Sequence, residues 1–396
     1  MTRKPRIFYC AWTPPSTASG ACLAMRRHFI ERKDFDTFVF TNERFADDTV
    51  PFHIVNRPRW LERVMRTRLR RLVRQMEMLL MGWWLLPRAL KLAREFKPDV
   101  VFTIPDNDFS WCAWLLARRL KIPLVTNFQD WWPQNQFWAD TERPFGATRR
   151  WLERRFRRMY RDSALAFCTS DGMKEFLGSH PNAVTLLPCP GQPPANVPPA
   201  KVPDGRRPTR ILYAGTVSGD YGRMVLALAK RLADQPQFEF LVYGPPPDWS
   251  PEDVQWARDR KIFHGFIPHD QLRAVLASAD AFLAVMSFEK SLEIMSRVSF
   301  TTKFLEYTQY GRPVVFWGPE YCQPVRVARA TGSGLAVTTP ESGAVVEGLN
   351  RLRDEAEYQR LVAGANQVAA TIFSPETIHG IFRDRIHAVL AGRPGI

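Results

Sequence analysis

One stretch near residue 300 limits what this chain can become more than any other. In Thr301-Thr302-Lys303-Phe304-Leu305-Glu306-Tyr307, Lys303 and Glu306 stand three apart and share one face of a short helix. Phe304 and Tyr307 repeat that spacing on the neighbouring face. Thr301 or Thr302 is placed to cap the start. Gly311 stops the helix, and Pro313-Val314-Val315-Phe316 is an apolar run suited to a buried parallel strand. A helix start beside a lysine attracts phosphate, and a carboxylate one turn on can grip a ribose diol. On residue chemistry alone, a solvated surface pair is the alternative.

Both halves of this stretch resemble the nucleotide-sugar motif of retaining glycosyltransferases of the two-Rossmann (GT-B) type, in the family 4, group 1 set. The resembling pattern reads (Pro/Thr)-(Ser/Thr)-Lys-(Leu/Phe)-(Leu/Phe)-Glu-Tyr, then Gly-(Lys/Arg)-Pro-Val-(Val/Ile). Here it is Thr301 to Tyr307, then Gly311-Arg312-Pro313-Val314-Val315. The resemblance implies an α/β fold of two Rossmann-like domains facing across a cleft. It also implies Glu306 on the ribose hydroxyls, Lys303 on the leaving diphosphate, and transfer with retention and without an essential metal or cofactor.

Strand and helix patterns alternate along the chain, as parallel α/β domains require. Ile7 to Ala11 reads as the first strand, and the small-residue loop Pro14 to Gly20 leads into a helix from Ala21 to about Arg32. Such a loop is where a Rossmann-like domain admits a ligand, so Ser19 and Gly20 are candidates. The strand Lys121 to Phe128 ends in Gln129-Asp130-Trp131-Trp132-Pro133. The resembling family often has His-Asp-x-x-Pro here, with the histidine near the donor sugar. Gln129 can donate a hydrogen bond to a sugar hydroxyl but cannot titrate. Trp131, Trp132, Phe137 and Trp138 either stack on sugar faces or pack the wall behind them.

Residues 188–208 hold eight prolines and read as a stiff linker. The expected organisation is an N-terminal acceptor domain over 1–187, that linker, a nucleotide-sugar domain over 209–372, and a last helix in 373–396 crossing back to the first domain. In the second domain, the strand ending at Ala214 runs into Gly215 and Thr216, whose turn is suited to a diphosphate, and a helix follows from Arg223. Arg223 adds charge there. Gly244 ends the next strand, and Phe266 and Ile267 follow Gly265 where the resemblance puts the base. The candidate set is therefore Gln129, Asp130 and Lys303 for catalysis. Gly215, Thr216, Arg223, Gly244, Phe266, Ile267, Thr302, Glu306, Ser19 and Gly20 are the candidates for binding. The resembling pattern also has a second glutamate eight residues before the first; here that position is Val298. Glu289 and Glu293 are near it but out of register.

Six scattered cysteines without a Cys-x-x-Cys pair suggest thiols in a reducing compartment, and seven histidines show no ligand spacing, so no metal is expected. The start is basic, but the apolar run after it is too short for a signal peptide. Met78 to Pro87 is about half the length that spans a bilayer. A cytoplasmic protein is expected.

The net charge of +15 is concentrated. Arg57 to Arg74 holds eight arginines against Glu62, and Arg149 to Arg161 holds seven against Glu153. Between them they carry thirteen of the fifteen net charges. With Trp60, Trp83 and Trp84 nearby, the segments read as a contact with an anionic membrane surface; an ordinary packed helix pair is the alternative. The function read from all this is transfer of a sugar from a nucleotide-diphosphate sugar to a membrane-associated glycan or lipid-linked acceptor. The rivals are a non-catalytic homologue, a nucleotide-sugar epimerase and, ranked last, a nucleic-acid-binding protein; no nucleic-acid motif is present.

Overall fold

The computed structural model describes residues 3–105, 108–134, 143–192, 195 and 197–392. The chain forms two compact units, residues 1–189 with 378–396, and residues 190–377.

The first unit is built on a seven-stranded sheet. Its strands are β1 (Arg6–Cys10), β2 (Asp36–Thr41), β3 (Phe52–Ile54), β4 (Val100–Thr103), β5 (Leu124–Phe128), β6 (Leu165–Cys168) and β7 (Ala183–Thr185), in the order β3-β2-β1-β4-β5-β6-β7. All neighbours are parallel. Every residue of β4, β5 and β6 is buried, as expected of strands covered on both faces. The edges, β3 and β7, have three residues each and are at most half-buried, which leaves little for another chain to pair with.

The second unit holds a six-stranded parallel sheet of β8 (Thr209–Ala214), β9 (Phe238–Tyr243), β10 (Phe263–Gly265), β11 (Ala281–Val285), β12 (Val314–Trp317) and β13 (Leu335–Val337). The order is β10-β9-β8-β11-β12-β13. In each sheet the order reverses at one strand, β1 in the first and β8 in the second. Open α/β sheets bind ligands beyond the carboxyl ends of strands at such a reversal.

Three local readings differ from the structure. The first helix is α-helical over Gly20–Arg26 and continues as one π-turn, Arg27–Glu31. The helix after β8 begins at Gly219, ahead of Arg223. Gly222 does not break it; a Cβ there would lie 2.3 Å from the Val217 carbonyl oxygen, so glycine serves a close approach inside the first turn. The basic stretch is divided between a short helix, Arg59–Met65, and one long helix, Arg70–Phe96, which takes in its last arginines together with Met78 to Leu86.

Helix Pro375–Ala391 ends the chain, and from Ile378 it belongs to the first unit. Phe382 is fully buried there, 5.2–5.9 Å from the rings of Phe29, Phe35, Phe102 and Phe167. Burying one such ring contributes about 1.5–3 kcal/mol. His379 stacks on His28, with their Nδ1 atoms 3.1 Å apart, and its Nε2 is 2.7 Å from Asp34.

Candidate active site

The second unit gathers its candidates at the carboxyl edge of the sheet. The strands are parallel, so Gly215 after β8, Gly244 after β9 and Phe266 after β10 all lie there. Backbone bonds knit them: Gly215 N–H donates to Tyr243 O at 2.8 Å, and Gly244 N–H to Gly265 O at 3.0 Å. A Cβ on Gly244 would sit 2.1 Å from the Gly215 oxygen, so the two turns touch backbone to backbone.

Helix Thr302–Thr308 begins at the same edge, with Thr301 as its N-cap residue; the Thr301 side chain makes no capping bond. Tyr307 anchors it. Its hydroxyl accepts from Ala214 N–H at 2.9 Å and lies 3.2 Å from Ala214 O, while its ring stacks on Phe282 at 4.3 Å. Burial pushes the phenol up, so it stays neutral. Phe304 packs on Phe316 and Phe373.

That anchoring carries Lys303 to the loop after β8. A Cβ on Gly215 would be 2.0 Å from Lys303 Cε and 2.5 Å from Nζ, so the lysine occupies the space the glycine leaves open. Nζ lies 5.5 Å from the centroid of the buried Tyr213 ring, whose hydroxyl donates to Thr216 O at 2.5 Å. Among the described residues Lys303 makes no ion pair, and desolvation lowers its pKa from 10.5 to about 8. A poorly solvated cation beside a glycine turn suits an anionic ligand.

Glu306, one turn on, is half-buried and accepts from Gly191 N–H at 3.3 Å. Arg312 of the same motif is structural. It is 5% exposed and donates to the carbonyls of Ala279, Tyr310 and Pro198, which ties the proline-rich segment down. Phe266 is 73% exposed, an uncovered aromatic face at the end of β10; Ile267 is half-buried. His264 stacks on Tyr243 at 4.8 Å.

Arg223 is engaged elsewhere. Its guanidinium meets Asp220 at 3.0 Å and Glu289 at 2.9 Å, and Ser287 donates to Asp220. Val298 is fully buried, a place that would leave a second glutamate desolvated. Glu289, on the loop after β11, is the exposed carboxylate of that region, and it lines a cavity of about 430 Å³ with Arg223, Phe288 and Trp317.

In the first unit, Gln129 and Asp130 follow β5 at the carboxyl edge, both half-buried. Trp131 is 3% exposed and packs edge-on against Phe156 and Phe176, so it belongs to the core and has no face for a sugar. Trp132 is half-buried and meets Trp12 edge-on at 5.8 Å. Phe137 and Trp138 lie outside the described residues. Ser19 caps its helix, accepting from Cys22 N–H at 3.2 Å; Ser19 and Gly20 are exposed beyond β1.

All six cysteines are buried free thiols. Among the described residues, no cluster of three His, Cys, Asp or Glu is placed to hold a metal, and no helix is long and apolar enough to cross a membrane.

Two parallel α/β sheets, each with its reversal strand, are the two Rossmann-like halves of the GT-B class of fold, which the solved structures below share. Two family patterns match, the one described as Glycosyltransferase Family 4 over residues 23–190 and Glycosyl transferases group 1 over 208–355. The chain belongs to the family 4-like, group 1 glycosyltransferases. No curated protein matches it. Among solved structures, sucrose-phosphate synthase from Thermosynechococcus elongatus is 14% identical with a TM-score of 0.69, over 99% of this chain and 100% of that one. The lipopolysaccharide outer core galactosyltransferase WaaB is 14% identical with a TM-score of 0.58, over 97% and 99%. UDP-GlcNAc 2-epimerase from Neisseria meningitidis is 13% identical with a TM-score of 0.55, over 97% and 100%. Identities this low carry the fold alone.

Proposed function

We propose that this glycosyltransferase moves a sugar, with retention, from a nucleotide-diphosphate sugar to a membrane-associated glycan or lipid-linked acceptor in envelope or exopolysaccharide assembly. The observation that carries the donor reading is Lys303, unpaired among the described residues and seated against Gly215. Its ammonium and the turn at Gly215 and Thr216 receive the diphosphate and stabilise the charge that develops as it leaves. Glu306 takes the ribose hydroxyls in place of the Gly191 N–H, and Phe266 offers its exposed face to the base. Gly244 allows the turns to close, and Thr302 opens the helix behind Lys303. Gln129 and Asp130 are assigned to hydroxyls of the transferred sugar. No covalent nucleophile is assigned. Arg223 reaches a phosphate only if Asp220 and Glu289 release it.

The acceptor reading rests on charge. Arg59, Arg63, Arg66, Arg68, Arg70 and Arg71 are exposed without an ion pair among the described residues, as are Arg149, Arg150, Arg154 and Arg161. The helices that bear them pack together, with Arg155 donating to the carbonyls of Met78 and Leu79. Trp60, Trp83 and Trp84 are exposed beside them. That surface supports a peripheral position at the inner face of the plasma membrane.

The test is release or transfer of radiolabelled sugar from a panel of nucleotide-diphosphate sugars in the presence of membrane extract. Turnover by wild type and its loss in Lys303→Ala and Glu306→Ala is the expected result. Nucleotide binding with no turnover on any donor or acceptor favours the non-catalytic reading, which the buried Val298 and the non-titrating Gln129 support.

A further inference from the structure

The first unit has an apolar feature that the nucleotide site does not use. On helix Arg70–Phe96, Leu72, Met76, Leu80 and Trp84 recur every fourth residue along one face, about 18 Å at 1.5 Å per residue. All four are 47–56% exposed. Helix Arg59–Met65 packs beside them and adds Trp60, 65% exposed. Between the helices runs a cavity of about 1,010 Å³ walled by Trp60, Leu61, Leu72, Met76, Leu80 and Trp84. Single exposed apolar side chains are ordinary; five of them lining one cavity mark a binding surface.

Trp12 and Phe109 also line the cavity. Trp12 follows β1 at the carboxyl edge and touches Trp132, just beyond Gln129 and Asp130. The cavity's lining thus joins the two helices to Trp12, whose ring meets Trp132 on the loop that holds the candidate sugar-binding residues of this unit. Its polar lining includes Glu43 and Glu62 and a fixed cluster: Glu77, 7% exposed, grips Arg57 through two bonds of 2.9 and 3.0 Å and meets Arg74 at 3.2 Å. The two helices that wall the cavity, with the turn between them, carry the six exposed arginines from Arg59 to Arg71. Their shared sign opposes a second copy of this face and suits an anion carrying a long apolar chain.

We propose that the cavity receives the hydrocarbon chain of an anionic, phosphate-bearing lipid that is the acceptor, with the arginines on its phosphate and on neighbouring headgroups. That the lipid is the acceptor rests on the transferase reading; that it binds here does not.

The experiment uses the full chain and dodecyl phosphate below its micelle concentration, with binding read by isothermal titration calorimetry. Met76→Trp and Leu80→Trp fill the cavity from exposed positions, so a fold failure in both is not expected; melting curves check each. Ile381→Trp adds the same bulk to an exposed site on the last helix as a control. The prediction is that both filling variants weaken dodecyl phosphate by about tenfold or more, while the control stays within about twofold. Binding to vesicles of equal parts phosphatidylcholine and phosphatidylglycerol persists in the filled variants and falls in the double variant Arg63→Glu, Arg66→Glu. Unchanged dodecyl phosphate binding in the filled variants, or loss only with the arginines, overturns the cavity and leaves a surface contact. Nucleotide-induced thermal shifts on the same samples separate the readings. A nucleotide shift without dodecyl phosphate binding overturns the cavity alone. Dodecyl phosphate binding without any nucleotide shift overturns the acceptor role and leaves the lipid site.

Discussion

Tyr307 shows how a motif residue acts through another. Its hydroxyl bonds the backbone at Ala214 and so fixes where Lys303 stands relative to Gly215. Tyr307→Phe leaves the Ala214 N–H unsatisfied and is expected to cost about 1–2 kcal/mol in urea unfolding, with weaker nucleotide binding as a second readout. Lys303 predicts a pH dependence. Its pKa is about 8 folded against 10.5 unfolded, so the folded state holds the proton less firmly, and stability rises with pH between those values. An entering diphosphate restores the charge. Binding of a nucleoside diphosphate near pH 8 should therefore take up a proton, and affinity should fall as pH rises through that value; calorimetry in two buffers of different ionisation enthalpy measures it. Lys303→Arg should abolish the uptake, because guanidinium does not titrate there. The lysine and glutamate were legible because their spacing fits one helical face. Trp131 was not, because an aromatic after a strand reads the same whether it faces solvent or packs on Phe156. Nor was the engagement of Arg223, since Asp220 is local but Glu289 arrives from another strand.

At the scale of elements, the turns after β8 and β9 are set by what a Cβ would meet. On Gly215 it would strike the flexible end of Lys303, and on Gly244 the backbone oxygen of Gly215. Gly215 also holds φ +157°, where any side chain strains the backbone, so Gly215→Ala should lower both stability and nucleotide affinity, as should Gly244→Ala through its backbone clash. Paired melting and binding measurements check both; unchanged stability in either variant would contradict the geometry. The central strands were readable as continuous apolar runs. The edge strands β3 and β7 were not, because three half-exposed residues carry neither a run nor an alternation. The π-turn at Arg27–Glu31 has no pattern of its own; His28 and Phe29 there pack on Phe382, more than 350 residues away in sequence.

At the scale of the whole molecule, alternating strands and helices were enough to read an α/β protein of two sheets, and the motif at 301–315 was enough for its class. The charge was legible as two segments, but not which arginines are already occupied: Arg155 and Arg157 bond to backbone carbonyls, and Arg57 is held by Glu77. Those left exposed predict vesicle binding that weakens steeply as salt rises. Neutral vesicles binding as well as anionic ones would contradict that. The central claim is the donor site formed by Lys303, Gly215 and Glu306. Its most direct test is a thermal-shift panel of nucleoside diphosphates and nucleotide-diphosphate sugars on wild type and Glu306→Ala. A ligand at about a hundred times its Kd adds about 2.7 kcal/mol to the folded state. The account predicts that one nucleotide class raises the melting temperature of wild type and leaves Glu306→Ala unmoved; an equal shift in both, or none in either from a broad panel on folded protein, would contradict it.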